Sequence, residues 1–251
     1  MARVYLTGRM AIEGPRGLVD ETQLPGVQGR VALAFLVLVR GPVSRDLLAE
    51  AVWEGKELPT GWDKALNPIV SKLRAALSRA GLDGKGALVS GTGAIELRRH
   101  DDIDVDFEQC LAAVDAAEGA LRKGDVPTAW ANAAVGSSIA RRPFLAGVYG
   151  DWVVDKRQLL DELQYRSLEV LVDVWIQRAD LRQAAGLAEG IVGLDRLRER
   201  GYRRLIEVNG LAGDTAAAQR AFVRCQQALA ELGVTPSEQT EAVLSAAGGR
   251  P

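Results

Sequence analysis

The sequence predicts a mainly α-helical protein with a small β component, divided into two parts. Apolar residues recur at helical spacing through most of the chain, and short β-like runs with glycine turns are confined to residues 1–100. A helix-capping aspartate followed four residues later by an alanine recurs along residues 101–251. The 251 residues are 47% apolar and 25% charged, a composition typical of a soluble protein with two ordinary domains.

The two parts differ in charge. Residues 1–100 contain 14 basic and 10 acidic residues, whereas residues 101–251 contain 17 basic and 23 acidic residues. The excess of positive charge allows the first part to approach nucleic acid, and the excess of negative charge makes the second part repel it. We place the domain boundary between residues 100 and 101.

Several classes of protein are disfavoured by simple features of the chain. No apolar run reaches the roughly 18 residues of a membrane span, and the start MARVYLTGRM lacks the hydrophobic core of a signal peptide, so we expect a cytoplasmic protein without membrane contact. His100 is the only histidine, which excludes His-based triads and multi-histidine metal sites. Cys110 and Cys225 are expected to be buried thiols. We expect no enzyme activity, no cofactor and no metal.

The chain is expected to begin with a small sheet and a buried helix. Arg3–Thr7 and Ala11–Glu13 have the pattern of short strands, and Gly17–Gln23 is able to supply a third strand of an antiparallel sheet. The nearly all-apolar segment Val31–Val39 predicts a helix that is buried on most sides. Gly41 and Pro42 then end this helix.

Two helices between residues 42 and 79 are central to the functional prediction. Ser44 stands where the N-cap of the first helix is expected. In the second helix the apolar residues fall on one narrow stripe, formed by Leu66, Ile69, Val70, Leu73 and Leu77. The opposite face carries amides, hydroxyls and positive charges and no carboxylate.

This polar face is suited to the major groove of DNA, where amides and hydroxyls contact base edges and Lys or Arg contact phosphates. The candidate DNA-binding residues are Lys64, Asn67, Ser71, Lys72, Arg74, Ser78 and Arg79 on the helix, with Ser90 and Thr92 on a hairpin that follows. The alternative is an ordinary solvated helix face.

Pro68 interrupts this helix pattern. Proline lacks an N–H and is tolerated in the first turn of a helix, whereas in the interior it costs about 3 kcal/mol. We therefore expect the helix to begin with Asn67 as N-cap and Pro68 at the first position. Trp62–Leu66 would then form a separate turn or a kinked lead-in.

A β-hairpin is predicted after the second helix. Leu88–Ser90 and Ile95–Leu97 are β-like runs joined through the glycine-rich turn Gly91-Thr92-Gly93. No Lys or Arg lies between Gly86 and Leu97. Contacts from the hairpin to DNA are therefore expected to come only from hydroxyls and backbone amides.

The second part predicts stacked helix pairs. The repeated signature occurs at Gly124-Asp125 with Ala129, at Ala179-Asp180 with Ala184, and at Gly213-Asp214 with Ala218. Asp180 and Asp214 are 34 residues apart, which is the period of tetratricopeptide (TPR) helix pairs. The larger spacing after Asp125 is explained by a long helical stretch over Asp151–Arg178.

The chain resembles the SARP family (Streptomyces antibiotic regulatory proteins) over nearly its whole length. VSRDLLAEAVW and ALNPIVSKLRAAL resemble the helix-loop-helix of OmpR-type winged-helix domains. Residues 101–251 resemble the bacterial transcriptional activator domain, which is TPR-like, through VDFEQCLAAV at 105–114, Leu197–Arg200 and ALAELGVTPSEQT at 228–240. The resemblance implies an N-terminal winged helix-turn-helix plus a C-terminal TPR-like α-helical array.

These observations favour a sequence-specific DNA-binding transcriptional regulator. The resemblance implies an activator that binds direct repeats in promoters and contacts RNA polymerase, and we expect a homodimer on DNA. The alternative is a TPR-like adaptor or ligand sensor whose winged helix binds DNA weakly or not at all. A ligand or partner surface in the helical array would involve Tyr165, Trp175, Arg178 or Tyr202, for which core packing is the competing explanation.

Overall fold

A computed structural model of the chain describes residues 2–54, 57–91, 93–99 and 103–249. Two compact units are formed, one by residues 1–110 with 139–160 and the other by residues 111–138 with 161–251. Residues 100–102, at the boundary predicted from sequence, lie outside the described residues, and that boundary stays a prediction. Among the described residues, no helix combines the length and hydrophobicity that crossing a bilayer requires.

The strands of the described residues form two small sheets. Their bounds are β1 Ala2–Tyr5, β2 Ala11–Gly14, β3 Gly17–Val19, β4 Pro42–Ser44, β5 Leu88–Ser90, β6 Ala94–Leu97 and β7 Ile103–Val105. The first sheet has the order β3-β2-β1-β7 and the second the order β4-β6-β5. Among the strand pairs that the structure describes, β1–β7 alone is parallel. The predicted N-terminal sheet and the hairpin are confirmed, whereas the participation of β7 was not predicted.

A buried carboxylate explains why β7 joins the first sheet. Asp106 follows β7 directly and is only 4% exposed. Its oxygens accept hydrogen bonds from the backbone N–H groups of Leu6 at 2.8 Å and Thr7 at 3.0 Å, and from the Thr7 hydroxyl at 2.6 Å. Removing one partner of a buried hydrogen bond costs about 1–3 kcal/mol, so this carboxylate holds β7 beside β1. The link joins residues about 100 positions apart in the chain, and local sequence patterns cannot encode it.

The helices of the described residues occupy most of the chain. Their bounds are α1 Gly26–Val39, α2 Arg45–Trp53, α3 Trp62–Ala80, α4 Gly84–Ala87, α5 Asp106–Arg122, α6 Val126–Ala140, α7 Asp151–Gln177, α8 Leu181–Leu194, α9 Glu199–Leu211, α10 Thr215–Ala230 and α11 Glu238–Ala246. The mainly α-helical fold class is therefore confirmed. The central part of α1 is buried as predicted, although the helix begins five residues before Val31. Residues 21–23, expected to extend the third strand, form a 3-10 turn instead.

Three helices of the second unit are capped as the aspartate signature predicts. Each aspartate accepts a hydrogen bond from the backbone N–H three residues later, at 3.2 Å for Asp125, 3.1 Å for Asp180 and 2.8 Å for Asp214. The alanines of the signature, Ala129, Ala184 and Ala218, are completely buried. Small side chains at these positions allow neighbouring helices to approach closely.

Candidate nucleic-acid interface

Helix α3 lies in the first unit with one face buried and one face exposed. The predicted apolar stripe is buried, with Leu66 at 0% and Leu73 at 1% exposure. The helix packs against α1, α2, β2 and β3. Its C-terminal end lies against the β2–β3 hairpin so closely that a Cβ on Gly14 would be 2.3 Å from the carbonyl oxygen of Ala80. The last residue of α3 is therefore packed against the hairpin.

The prediction that α3 begins at Pro68 is wrong. The helix begins at Trp62 after Gly61, which has a φ of 76°, and Pro68 lies inside it. Pro68 cannot donate a hydrogen bond to the carbonyl oxygen of Lys64, and this loss disfavours the first turns. Burial of Leu66 and contacts from Arg45 offset the loss. The exposed face is consequently longer than the sequence indicated.

Arg45 holds the first turns of α3. From the start of α2, its Nη2 donates to the backbone oxygen of Asp63 at 2.7 Å and to Oδ1 of Asn67 at 2.9 Å, and its Nε pairs with the Asp63 carboxylate. The Arg45 side chain is 15% exposed. Its backbone N–H donates to the carbonyl oxygen of Gly93 in the hairpin turn at 3.0 Å. Sequence reasoning missed this residue, and the available signal was its position inside the matched motif VSRD.

Four of the predicted residues form one exposed surface on α3, which we call the α3 face. It consists of Lys64, Asn67 and Ser71 together with Lys72, which follows the midpoint of the helix. Neither Lys64 nor Lys72 forms an ion pair with any residue that the structure describes. Their ammonium groups are therefore available to a phosphate.

The two predicted arginines on α3 have structural partners. Arg74 is half-buried, and its Nε donates to the carbonyl oxygen of Leu88 in β5 at 2.8 Å. Arg79 is exposed, and its Nη2 donates to the carbonyl oxygen of Gln23 at 2.6 Å. Arg74 thus braces the hairpin, and Arg79 ties the end of the helix to the 3-10 turn. Ser78 is exposed near the same end of the helix.

The hairpin formed by β5 and β6 lies beside α3. Leu88 pairs with Leu97 and Ser90 pairs with Ile95, and the N–H of Gly91 donates to the carbonyl oxygen of Ala94 at 2.9 Å. Ser90 is exposed, and its contact with DNA stays a prediction. Thr92 lies outside the described residues, so its predicted contact stays a prediction. Arg98, just beyond β6, is paired with Glu96 at 3.0 Å.

Three of the residues predicted for a ligand surface in the second unit, Tyr165, Trp175 and Tyr202, lie in or against one hydrophobic core cluster. Tyr165 is 2% exposed, and the Arg198 guanidinium lies 3.9 Å from the centre of its ring. Burial raises the pKa of Tyr165 to about 12. The Arg178 guanidinium lies 5.4 Å from the ring centre of Trp175 and 5.9 Å from that of Trp130. Core packing is therefore the explanation that the structure supports for Tyr165.

Tyr202 is also buried but borders an open groove. The residue is 3% exposed and belongs to the wall of a groove of about 930 Å³ between α8 and α10. Two ion pairs border the groove, Arg196 with Glu231 at 2.6 Å and Arg224 with Glu189 at 2.8 Å. Among the described residues, no group of three or more metal-ligating side chains could hold a metal ion.

The helical part of this architecture matches a known protein family. Residues 105–246, more than half of the chain, match the model of the bacterial transcriptional activator domain. The chain belongs to this family. The resemblance to SARP-family regulators found in the sequence is thereby confirmed, and the bacterial transcriptional activator domain begins at the last residue of β7 and ends with α11.

Two curated relatives match a shorter segment. The transcriptional regulatory protein MoaR1 of Mycobacterium bovis and that of Mycobacterium tuberculosis are each 33% identical to the chain over 96 residues. The match covers 38% of this chain and 30% of MoaR1. The bacterial transcriptional activator domain is thus found here in a chain related to transcriptional regulators.

One solved structure has the same fold over nearly the whole chain. Mycobacterium tuberculosis EmbR, determined in complex with a low affinity phosphopeptide, superposes with a TM-score of 0.85 at 23% identity. The similarity covers 98% of this chain and 64% of the EmbR chain. A winged helix followed by a TPR-like helical array is the fold that the two proteins share.

Proposed function

We propose that the protein is a sequence-specific DNA-binding transcriptional regulator and that the α3 face enters the major groove. The observation that carries this proposal concerns Lys64 and Lys72, which have no ion-pair partner in the part of the chain that the structure describes. They lie beside an exposed amide and an exposed hydroxyl on one side of a helix whose other side is buried. In helix-turn-helix proteins the N-terminal residues of the recognition helix contact base edges. Here Lys64, Asn67 and Ser71, in the N-terminal half of α3, are exposed.

Each group on the α3 face has a chemical role in this proposal. Asn67 and Ser71 contact bases, and Lys64 and Lys72 contact phosphates. Ser90 and Thr92 add contacts from the hairpin, and Ser78 lies at the edge of the surface. Arg74 braces the hairpin through one N–H, and Arg79, which is exposed, keeps N–H donors for a phosphate beside the one that bonds Gln23.

The family membership supports a role in activation. We propose that residues 1–100 bind direct repeats in a promoter and that residues 101–251 contact RNA polymerase and join two copies on the DNA. The negative charge of the second part fits this division, because that part would be repelled by the DNA itself. Joining two weak binding sites raises avidity by a factor of about 10² or more.

A binding titration on the DNA upstream of the protein's own gene tests the proposal. The full chain is titrated against the upstream duplex and against an unrelated duplex of equal length at about 50 mM and about 200 mM salt. We expect preference for the upstream duplex and a steep loss of affinity with salt. We also expect a duplex with two copies of the site to bind far more tightly than a duplex with one.

The lack of basic residues in the hairpin favours a second candidate function, that of an adaptor. Since no Lys or Arg lies between Gly86 and Leu97, the hairpin tip offers no charged contact to DNA. A protein with this feature could act as an adaptor that uses only its TPR-like part. Thr92→Arg would add one phosphate contact and strengthen binding if the protein is a DNA-binding regulator. If neither the original chain nor Thr92→Arg prefers any upstream duplex at about 50 mM salt, the adaptor function is the correct one.

A further inference from the structure

We infer that Asn67 contacts its base through amide N–H donors and therefore selects guanine, because Arg45 occupies its carbonyl oxygen. This inference rests on the DNA-binding function proposed above and adds the base that the α3 face recognises. It also gives Arg45 a definite role. Arg45 is a positioning residue that determines specificity without touching DNA.

The orientation of the Asn67 amide follows from the chemistry of its partner. Arg45 Nη2 lies 2.9 Å from Oδ1 of Asn67. A guanidinium has five N–H donors and no acceptor, so the group that faces it must be the amide oxygen and not the amide nitrogen. The three contacts of Arg45 with Asp63 and Asn67 fix the guanidinium in place. The amide therefore cannot flip without losing a charge-assisted hydrogen bond.

The other side of the Asn67 amide is unused. Asn67 is exposed, and no described residue accepts a hydrogen bond from its Nδ2. Two N–H donors are consequently available on the α3 face, next to the hydroxyl of Ser71. The arrangement presents donors to the groove and keeps the acceptor turned toward the protein.

The bases differ in how well they match two donors. In the major groove guanine presents two acceptors, N7 and O6, whereas adenine presents the acceptor N7 beside the donor N6. The usual pairing of asparagine with adenine requires the amide oxygen to accept from N6. Here that oxygen already accepts a hydrogen bond from the Arg45 guanidinium, so the N6 donor of adenine would have to approach beside a positive charge. Adenine is therefore disfavoured. Cytosine presents a donor and is disfavoured for the same reason.

The magnitude of the preference follows from a single base contact. A good bidentate pair discriminates against the wrong base by about 1–3 kcal/mol. We expect guanine to be preferred over adenine by about tenfold at one base pair of the recognised site. The other positions of the site depend on other residues of the α3 face.

Base-substitution binding measurements test the inference. Duplexes bound by the full chain are selected from a randomised library, and each base pair of the best duplex is then replaced by the other three in competition titrations. We expect one position at which guanine is preferred, and we expect Asn67→Ala to abolish the preference at that position alone. Ser71→Ala is the matched control, since it should change a different position and leave this one intact.

Two variants separate the role of Arg45 from a loss of folding. Arg45→Met frees the Asn67 oxygen and should move the preference from guanine toward adenine, with circular dichroism melting used to verify that the variant is folded. Asn67→Gln displaces the amide from the position that Arg45 fixes and should weaken the preference for guanine without altering Arg45. If Arg45→Met does not fold, the base preference of Asn67→Gln alone tests the inference.

The outcomes that would overturn the inference differ from those that would overturn the proposed function. Specific binding with adenine preferred at the Asn67-dependent position, or binding in which Asn67→Ala changes no position, contradicts only the inference. A guanine preference that is undiminished in Asn67→Gln also contradicts it. Absence of preference for any duplex in the selection contradicts both the inference and the DNA-binding function.

Discussion

Lys72 and Arg74 are two positions apart on α3 and carry the same charge, but their surroundings give them different roles. The Lys72 ammonium is exposed and has no ion-pair partner among the described residues, whereas Arg74 donates to the backbone of β5 at 2.8 Å. A charge that is free can neutralise a phosphate, and a side chain bonded to a backbone carbonyl stabilises the fold. The difference depends on which element packs beside each residue, and the sequence pattern treats the two as equivalent.

Replacing Lys72 with Ala should weaken binding to all duplexes alike. A protein with one phosphate contact fewer releases about one counterion fewer from DNA when it binds. The slope of log affinity against log salt concentration should therefore become shallower by about one unit. Lys123→Ala, at an exposed position in the second unit, is the matched control and should leave the slope unchanged. An unchanged salt slope in Lys72→Ala would mean that Lys72 does not contact a phosphate.

The two cysteines predict how stability changes at alkaline pH. Burial raises the pKa of Cys110 and of Cys225 to about 11. In the unfolded chain a thiol has a pKa of about 8.5. Above that pH the unfolded state therefore binds fewer protons than the folded state, whose thiols are still protonated. The free energy of unfolding should therefore fall as the pH rises from about 8.5 toward 11.

Urea denaturation at a series of pH values measures this decline. A Cys110→Ala, Cys225→Ala variant should show a smaller decline over the same range, because lysines and tyrosines titrate in both proteins but the thiols do so only in the original. In addition, both thiols should react slowly with a thiol reagent at pH 8 until the protein unfolds. Equal pH dependence of the two proteins would contradict the assignment.

Helix α3 shows how an element can tolerate a residue that its own sequence disfavours. Pro68 lies in the interior of the helix, where proline costs about 3 kcal/mol. The first turns persist because Leu66 is buried and because Arg45 bonds to Asp63 and Asn67. Contacts from another helix thus outweigh local propensity.

Replacing Pro68 with Ala should raise the free energy of unfolding by about 1–3 kcal/mol, since alanine restores the hydrogen bond to Lys64 and removes the clash with the preceding turn. Urea denaturation measures the change. Ser71→Ala, at a neighbouring exposed position, should change stability by no more than about 0.5 kcal/mol. A less stable Pro68→Ala protein would mean that the proline ring makes contacts worth more than the hydrogen bond.

At the scale of the whole molecule, folding and DNA binding need not use the same boundary. We propose residues 1–100 as the DNA-binding part, but the first compact unit also contains β7, Asp106 and residues 139–160. Within that unit, Trp152 lies 5.2 Å from Phe35 between ring centres. The surface that binds DNA and the core that supports it therefore come from different stretches of the chain.

Fragments test this distinction. A fragment of residues 1–100 lacks the Asp106 carboxylate that satisfies the N–H groups of Leu6 and Thr7, and it should melt at a markedly lower temperature than a fragment of residues 1–160, which keeps the whole first unit. Circular dichroism melting of both fragments measures the difference. If limited proteolysis yields stable fragments near 1–100 and 101–251, the two parts fold independently and the packing argument is wrong.

The sequence by itself determined the elements and the family. Residues a few positions apart encode the buried stripe of α3, the hairpin strands and the helix caps at Ser44, Asp180 and Asp214. Such local patterns can be recognised in the sequence without knowledge of the tertiary structure. The tertiary structure decided which cations are free, how Asn67 is oriented and why a helix contains Pro68. The structure also decided that β7 joins the first sheet. These properties depend on Arg45, Leu88 and Asp106 meeting residues about 14 to 100 positions away, and such contacts follow from packing.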